Sequence, residues 1–391
     1  MSPAFTIDAR DGSARAGVLR LAHGEVLTPA FVPLATSATV KTLHASEVAA
    51  LGYEMVLGNT FHLFIQPGAE HVREMGGLHE FMGWKGAIIT DSGGYQVFSM
   101  GHGSVAEEVK RRRGSHESMV LSIDEEGVRF RSYLDGAERF MGPETSMEVQ
   151  AALGSDIALA FDECTPFHVE RDYTRSSMER THRWLDRCVA WQGEHGPEEQ
   201  LLFGIVQGGV YEDLRAESSA YVAGAGVDGI AIGGSLGQDK DEMREVVGWS
   251  LRGLPDAPPR HLLGIGDVDD VVNAVAAGID SFDCATPTRL ARHGTALVPD
   301  PAARWRLDLG KAAWKASREP IADGCPCPAC REHTRGYLHY LVRAGELTGG
   351  RLITLHNLTF MAELMKGLRA AIEAGGYDSY AQQVLSGRAP Y

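Results

Sequence analysis

Cysteine is scarce, six in 391 residues, and half of it sits in one stretch of six positions. Cys164, Cys188 and Cys284 are scattered singly. That usage excludes a disulfide-built secreted scaffold and suits a reducing compartment, so a cytoplasmic location is expected. Long apolar runs are missing as well. No stretch approaches the roughly 20 residues that span a bilayer, so no membrane contact is expected. The first ten residues, MSPAFTIDAR, have no apolar run behind a basic head, so no signal peptide is expected. Positive charge is in deficit, 37 Lys and Arg against 52 Asp and Glu, for a net charge of -15. Taken alone, that balance speaks against a nucleic-acid partner. There is no internal repeat and no low-complexity segment. P-loop, Ser-His-Asp order and G-x-G-x-x-G after a first strand are all absent, which sets aside the chemistries those motifs carry. His62 and His102 fall near expected strand ends without metal-ligand spacing to other residues.

What is present begins with Cys325-Pro326-Cys327-Pro328-Ala329-Cys330, followed after 25 intervening residues by His356. Thiolates at this spacing converge on one soft cation, and a histidine completes a tetrahedral Cys3His set, the donor set of closed structural zinc sites. Cysteines this close pair poorly with one another, and three cannot all be bridged within the chain. Four protein ligands leave no place for a reactive water, so the metal builds structure. Charge is distributed to match. Residues 285–360, which hold the knuckle, carry 11 basic against 6 acidic side chains, while residues 1–284 carry 23 against 43. The metal module is the basic part of an acidic chain, as local phosphate contact requires. A second basic run, Lys110-Arg111-Arg112-Arg113, reads as a mobile, solvated loop.

Eight short apolar runs precede the module, at 28–36, 54–60, 86–94, 156–164, 201–209, 229–235, 261–267 and 279–287. Each is continuously apolar rather than alternating, as parallel strands covered on both faces are. Amphipathic helices are expected between them at 41–51, 170–192, 211–223, 239–252 and 267–277, the last capped by Asp267 and ended by Gly278. Eight strands with helical returns predict an α/β fold of the (β/α)8 TIM-barrel kind, with a doubly wound sheet as the alternative. The expected division is 1–300 for the barrel and 301–391 for a zinc-binding subdomain with C-terminal helices, packed on the barrel. Between 95 and 155, VLSIDEEGVRFRSYLDG predicts a hairpin turning at Glu126-Gly127.

Polar residues cluster where the apolar runs stop: Asn59, Asp91-Ser92, Asp162-Glu163, Gln207, Gly233-Gly234-Ser235, Asp267 and Asp283. In a TIM barrel those ends form the active-site face, although any one aspartate also suits a helix cap. Paired carboxylates suit chemistry at an anomeric carbon, one attacking the oxocarbenium-like centre and another managing protons. Glycoside hydrolysis and exchange of a nucleobase on ribose both remain open on these grounds. For a heterocycle, Asp162 offers an acceptor for N–H groups, Gln207 an amide donor and Tyr95 a stacking face.

At this level of detail the chain resembles bacterial-type tRNA-guanine transglycosylases. The likeness rests on Asp91-Ser92-Gly93-Gly94-Tyr95-Gln96-Val97, Phe161-Asp162-Glu163-Cys164-Thr165-Pro166, Phe203-Gly204-Ile205-Val206-Gln207-Gly208, and Phe282-Asp283-Cys284 with Pro287-Thr288-Arg289. The Cys-x-Cys-x2-Cys-x25-His set, Leu57-Gly58-Asn59-Thr60 and Gly76-Gly77-Leu78-His79 agree, in order, over nearly the whole chain. The resemblance implies replacement of the wobble guanine of tRNA by a 7-deazaguanine base, 7-aminomethyl-7-deazaguanine or queuine, without ATP or a redox cofactor. It implies Asp283 as nucleophile and Asp91 as proton carrier. It further implies a base site of Asp91, Ser92, Tyr95, Asp162, Gln207, Gly234, Ser235 and Leu263, and a grip on the anticodon loop by Arg289 and Arg292. One structural Zn2+ per subunit on Cys325, Cys327, Cys330 and His356, and a homodimer, belong to the same expectation.

The chain also departs from the family pattern. His261 stands where Tyr is usual, Leu263 where Met is, Leu34-Ala35 where Val-Gly is, and Ala285 where Val is common. Gly233-Gly234-Ser235-Leu236-Gly237-Gln238-Asp239 replaces Gly-Gly-Leu-Ala-Val-Gly-Glu, which makes Asp239 the expected counterpart of an acid that fixes the base-reading peptide, and residues 101–118 appear expanded. Non-catalytic paralogues lack parts of the active-site set, whereas Asp91, Asp162, Gln207 and Asp283 are all present here. Archaeal relatives that modify the D-arm carry further C-terminal RNA-binding domains, whereas only a helix at about 357–374 and a short tail are expected after His356.

Overall fold

The chain opens with strands that no apolar run announces. In the computed structural model, which describes residues 4–102, 119–166 and 169–391, β1 (Phe5–Asp11), β2 (Ala14–Leu21) and β3 (Gly24–Thr28) form an antiparallel sheet. The eight apolar runs then become eight strands. The first three are β4 (Ala30–Ala35), β5 (Met55–Gly58) and β6 (Ala87–Thr90). An antiparallel excursion follows, β7 (Val120–Ile123), β8 (Val128–Arg131) and β9 (Glu138–Met141). The other five are β10 (Ile157–Leu159), β11 (Leu201–Val206), β12 (Gly229–Ile232), β13 (Arg260–Leu262) and β14 (Ser281–Cys284). They pair in parallel in the order β4-β5-β6-β10-β11-β12-β13-β14, and β14 returns to β4 with Ser281 opposite Ala30, closing the ring. This is a TIM barrel. Every residue of β5, β6, β12 and β14 is buried, the reason the runs are continuously apolar.

The first sheet stoppers the barrel. Phe5, Leu19 and Val26 share one apolar cluster with the inward residues Val32, Leu57, Ile89, Leu159 and Ile205. Its polar anchors lie just before strands: Leu27 N–H donates to Glu54 (2.7 Å) and His23 N–H to Asp156 (3.0 Å). The stopper therefore closes the N-terminal end and leaves the C-terminal end open. Arg15 on β2 is wholly buried against Asp280, with Nε 2.7 Å from Oδ1, and Asp280 also accepts from the Arg260 N–H (2.6 Å). Removing one partner of a buried ion pair strands the other charge, at a cost of about 3–5 kcal/mol. Asp280→Asn is therefore expected to lower unfolding stability by about that amount, which a denaturant titration reads.

The expected hairpin is present, its turn held by the Asp124 carboxylate accepting from the Glu126 N–H (2.9 Å), and β9 adds a third strand. Lys110-Arg111-Arg112-Arg113 and nearly all of the 101–118 segment lie outside the described residues. The expected helices appear as Ala45–Ala50, Arg171–His195, Glu212–Gly224, Lys240–Leu251 and Val268–Ala276. Asp267 does occupy the N-cap position of the last, but its side chain caps nothing. It pairs instead with Arg306 (2.9 Å) and Lys240 (3.5 Å), because two cations lie closer than the helix amides it was expected to serve.

Beyond the barrel, β15 (Thr295–Leu297) and β16 (Arg306–Asp308) pair as a hairpin that straddles position 300. Helices Pro328–Glu332, Arg335–Ala344 and Leu347–Glu373 complete the module. The expected helix at about 357–374 begins ten residues earlier, at Leu347, so His356 lies inside it rather than before it. This helix belongs to both parts. Leu352 and Ile353 join the module core, while Leu358, Met361, Leu364 and Leu368 join the barrel's outer core. No described helix is long and apolar enough to cross a membrane.

Candidate active site and metal centre

Parallel strands in a closed ring deliver the residues after each strand to one rim. Asp91, Ser92, Tyr95, Asp162, Gly234, Leu263 and Asp283 consequently line one cavity of about 490 Å³, with Arg289 and Ala285 at the same mouth. Asp283, near the end of β14, is 7% exposed. Its Oδ1 faces two donors, His261 Nε2 (3.1 Å) and the Gly264 N–H (3.2 Å). His261 is wholly buried, and its Nδ1 is 2.8 Å from Ser281 Oγ. That contact orients the ring and leaves Nε2 toward the carboxylate. Among the described residues Oδ2 takes no such bond, so one oxygen of Asp283 is held and the other is free at the cavity.

Asp91 accepts from the Thr60 N–H (2.8 Å) at Oδ1 and from the Asn59 amide at Oδ2. Burial pushes its carboxyl up to about 7, the Asp283 charge adding to the rise against the Thr60 bond. An acid poised there takes or gives a proton near neutral pH. Asp162 is held between Ser92 Oγ (2.7 Å) and Gln207 Nε2 (2.6 Å), and burial raises it to about 6. Three carboxylates, Asp91, Asp162 and Asp283, thus share one mouth.

Gln207 does not line the cavity. It lies behind the Gly233-Gly234 turn, where its amide fixes Asp162, and a Cβ on Gly234 (φ +76°) would come within 2.2 Å of its Oε1. Only glycine fits both that backbone and that approach. Ser235 is also outside the lining, and its carbonyl accepts from Arg215 Nη2 (2.8 Å). Asp239, the expected counterpart of an acid that fixes this segment, caps the helix Lys240–Leu251 through the N–H groups of Asp241 and Glu242 (both 3.0 Å). Glu242 holds the segment instead, accepting from the Gln238 N–H at 2.7 Å. Tyr95 is 52% exposed at the rim. Arg289 and Arg292, three apart on the helix Thr286–Arg292, are exposed on one face.

The knuckle and His356 come together. Sγ of Cys325, Cys327 and Cys330 lie 3.5, 3.5 and 3.3 Å from His356 Nδ1. Around zinc with bonds of about 2.3 Å to sulfur and 2.05 Å to nitrogen, a tetrahedron has S···N edges of about 3.6 Å. The donor set fits the ion. The other ring nitrogen, Nε2, donates to Leu297 O (2.6 Å), which fixes the tautomer that leaves Nδ1 free to ligate. The next residue, Asn357, is fully buried, and its Nδ2 donates to Pro287 O (2.9 Å) and Thr295 O (3.1 Å). Asn357, next to the Cys3His cluster, therefore braces the first turn of the helix that carries Arg289 and Arg292.

Reading the sequence alone missed three contributors. His261 was visible only as standing where Tyr is usual, with no role at the site. Arg215 sat in an amphipathic helix, where an arginine reads as solvated. Asn357 had no signal beyond adjacency to His356.

A family model described as Queuine tRNA-ribosyltransferase matches residues 10–390. A queuine tRNA-ribosyltransferase of Roseiflexus sp. (strain RS-1) is 48% identical over 390 residues, covering 96% of this chain and 98% of the relative. One of Pelotomaculum thermopropionicum is 46% identical over 378 residues, covering 96% of each.

Proposed function

The chain belongs to the queuine tRNA-ribosyltransferase family, and on that premise we propose that its barrel mouth exchanges the wobble guanine of tRNA for a 7-deazaguanine base by double displacement. The observation that carries this reading is Asp283, with one oxygen held by His261 and Gly264 and the other free at the cavity. That free oxygen attacks C1′ of the ribose, and the C1′–N9 bonding pair leaves with guanine. Asp91 supplies a proton to the departing base, in keeping with its raised pKa. The incoming base then attacks C1′ from the vacated side, the ester bond to Asp283 breaks, and the proton on the incoming nitrogen passes to Asp91. Two inversions restore the sugar configuration. Asp162, held by Ser92 and Gln207, accepts from the base N–H groups, and the Gly234 N–H faces its carbonyl. Tyr95 stacks on the ring, Ser92 and Leu263 shape the pocket, and Ser235 follows the reading turn. Arg289 and Arg292 hold the anticodon backbone, with phosphate contacts that salt weakens. One structural Zn2+ per subunit, bound by Cys325, Cys327, Cys330 and His356, and a cytoplasmic homodimer complete the proposal.

Base choice follows from the same turn. A carbonyl set to receive an aminomethyl cation would have to face the pocket, but Ser235 O is turned toward Arg215, and Asp239 serves a helix cap. Among the described residues the turn therefore offers no preformed clamp for the ammonium, and recognition relies on shape and the guanine edge, so queuine is expected to be accepted beside 7-aminomethyl-7-deazaguanine. Labelled guanine and tRNA establish the exchange, with an oligosaccharide arm as the control for glycosidase action. Competition on one anticodon stem-loop then compares the two bases, and incorporation efficiencies that differ by no more than roughly 10–200-fold are expected, since a pocket discriminates small added groups by about 1–3 kcal/mol. Queuine at background beside efficient use of the aminomethyl base would overturn the reading of the turn.

A further inference from the structure

Arg215, on the helix Glu212–Gly224, is a wholly buried guanidinium with no carboxylate partner among the described residues. Its nitrogens reach four backbone carbonyls: Gly209 (2.7 Å), Val206 (3.2 Å), Gly233 (2.9 Å) and Ser235 (2.8 Å). Burial lowers its pKa to about 9, which leaves it charged at neutral pH. A buried charge is costly, and carbonyl dipoles compensate it only in part. Its placement gives that cost a use. Gly233 and Gly234 form part of the cavity wall, and Arg215 grips the carbonyl of the peptide that joins them from behind. That peptide is flat and trans, so its N–H, on Gly234, points the opposite way, toward the cavity lining where it meets the Cys164 thiol.

We propose that Arg215 is a positioning residue for base recognition: it fixes and polarises the Gly233–Gly234 peptide, so that the Gly234 N–H selects a carbonyl oxygen on the base and stabilises the charge arriving there as the C1′–N9 bond breaks. The inference rests on the base-exchange reading above. When the bonding pair departs with the purine, its negative charge spreads through the ring system to the carbonyl oxygen. A donor already aligned there, backed by a fixed, wholly buried cation, stabilises that charge without reorganising. Arginine is suited to this because one planar fork spans carbonyls on the ends of two strands, which lysine does not.

The test compares wild type with Arg215→Met and Arg215→Lys, using guanine and 2-aminopurine, which lacks the carbonyl, as competitive inhibitors of exchange. Thermal melts run in parallel. In wild type guanine is expected to bind at least tenfold more tightly than 2-aminopurine. Arg215→Met is expected to lose the carbonyl's share of that ratio, the rest being the N1–H that Asp162 accepts and 2-aminopurine also lacks, and to lower kcat, with 2-aminopurine affinity changed less than threefold. Arg215→Lys, which keeps the charge but not the fork, is expected to retain part of the ratio, and it decides the matter if the Met variant does not fold. A purely structural role weakens both bases equally and leaves the ratio intact, and that result in a folded variant overturns the inference. Wild type that places no labelled guanine in tRNA overturns the base-exchange reading instead, so the two failures are distinguishable.

Discussion

Asp283→Asn is expected to lower base exchange by roughly 10⁴-fold or more, the scale seen when a covalent nucleophile is removed, while tRNA affinity stays within a few-fold. The substitution is selective because of how the side chain is held. Oδ1 faces His261 and the Gly264 N–H, and the amide oxygen of asparagine can take the same place. The amide nitrogen then falls where the free carboxylate oxygen had been, nearly isosteric but with neither the charge nor the lone pair to attack C1′. The phosphate contacts proposed for Arg289 and Arg292 are untouched, so binding and chemistry are expected to separate. Exchange of labelled guanine and a filter-binding isotherm measure the two. Retention of more than about one percent of the exchange rate would move the nucleophile elsewhere, Asp91 being the nearest candidate in the same cavity.

Metal removal is expected to act through structure. The Cys3His set lies in a small core with Leu338, Leu341, Leu352 and Ile353, and that core has little apolar area of its own to hold it. Losing several kcal/mol of ligation from a chain of this size lowers the melting transition by roughly 10 °C. Cys330→Ser or a strong chelator is expected to do this, and to weaken tRNA binding by roughly tenfold, because Asn357 then no longer holds Pro287 and the helix with Arg289 and Arg292 loosens. Calorimetry with and without zinc, beside binding isotherms, reads both effects. Full stability and full affinity in protein shown by elemental analysis to be metal-free would end the structural-metal account.

How much of this was legible in the sequence follows from the length scale of each signal. The eight strands were readable because parallel barrel strands are buried on both faces and so form continuous apolar runs, and each overlaps an expected segment, β13 beginning one residue ahead of its segment at Arg260. The Cys3His cluster was readable because a knuckle packs three donors into six residues. The stopper sheet was not, since β1 is no continuous apolar run and Phe5, Leu19 and Val26, with Ile7 and Leu21 partly buried beside them, reach the barrel interior one at a time along the chain. Asp267 was misread as a side-chain cap because Arg306, 39 residues away, decides its contacts. Asp239 and Glu242 exchanged roles for a similar reason: an aspartate just before a helix caps it more readily than it reaches back along its own loop. Arg215 was hidden by composition, since nothing in the sequence says that its four acceptors are carbonyls gathered from two strand ends.

The central claim is that a bond forms between Asp283 and ribose, and trapping that bond tests it most directly. Wild type incubated with an anticodon stem-loop, without added base and with released guanine removed, should yield a protein–RNA adduct that survives a denaturing gel. Proteolysis and mass spectrometry should place the ribose on the peptide containing Asp283, and Asp283→Asn should yield no adduct. Exchange that runs at the full rate with no trappable adduct, or an adduct mapped to the peptide containing Asp91, would contradict the account.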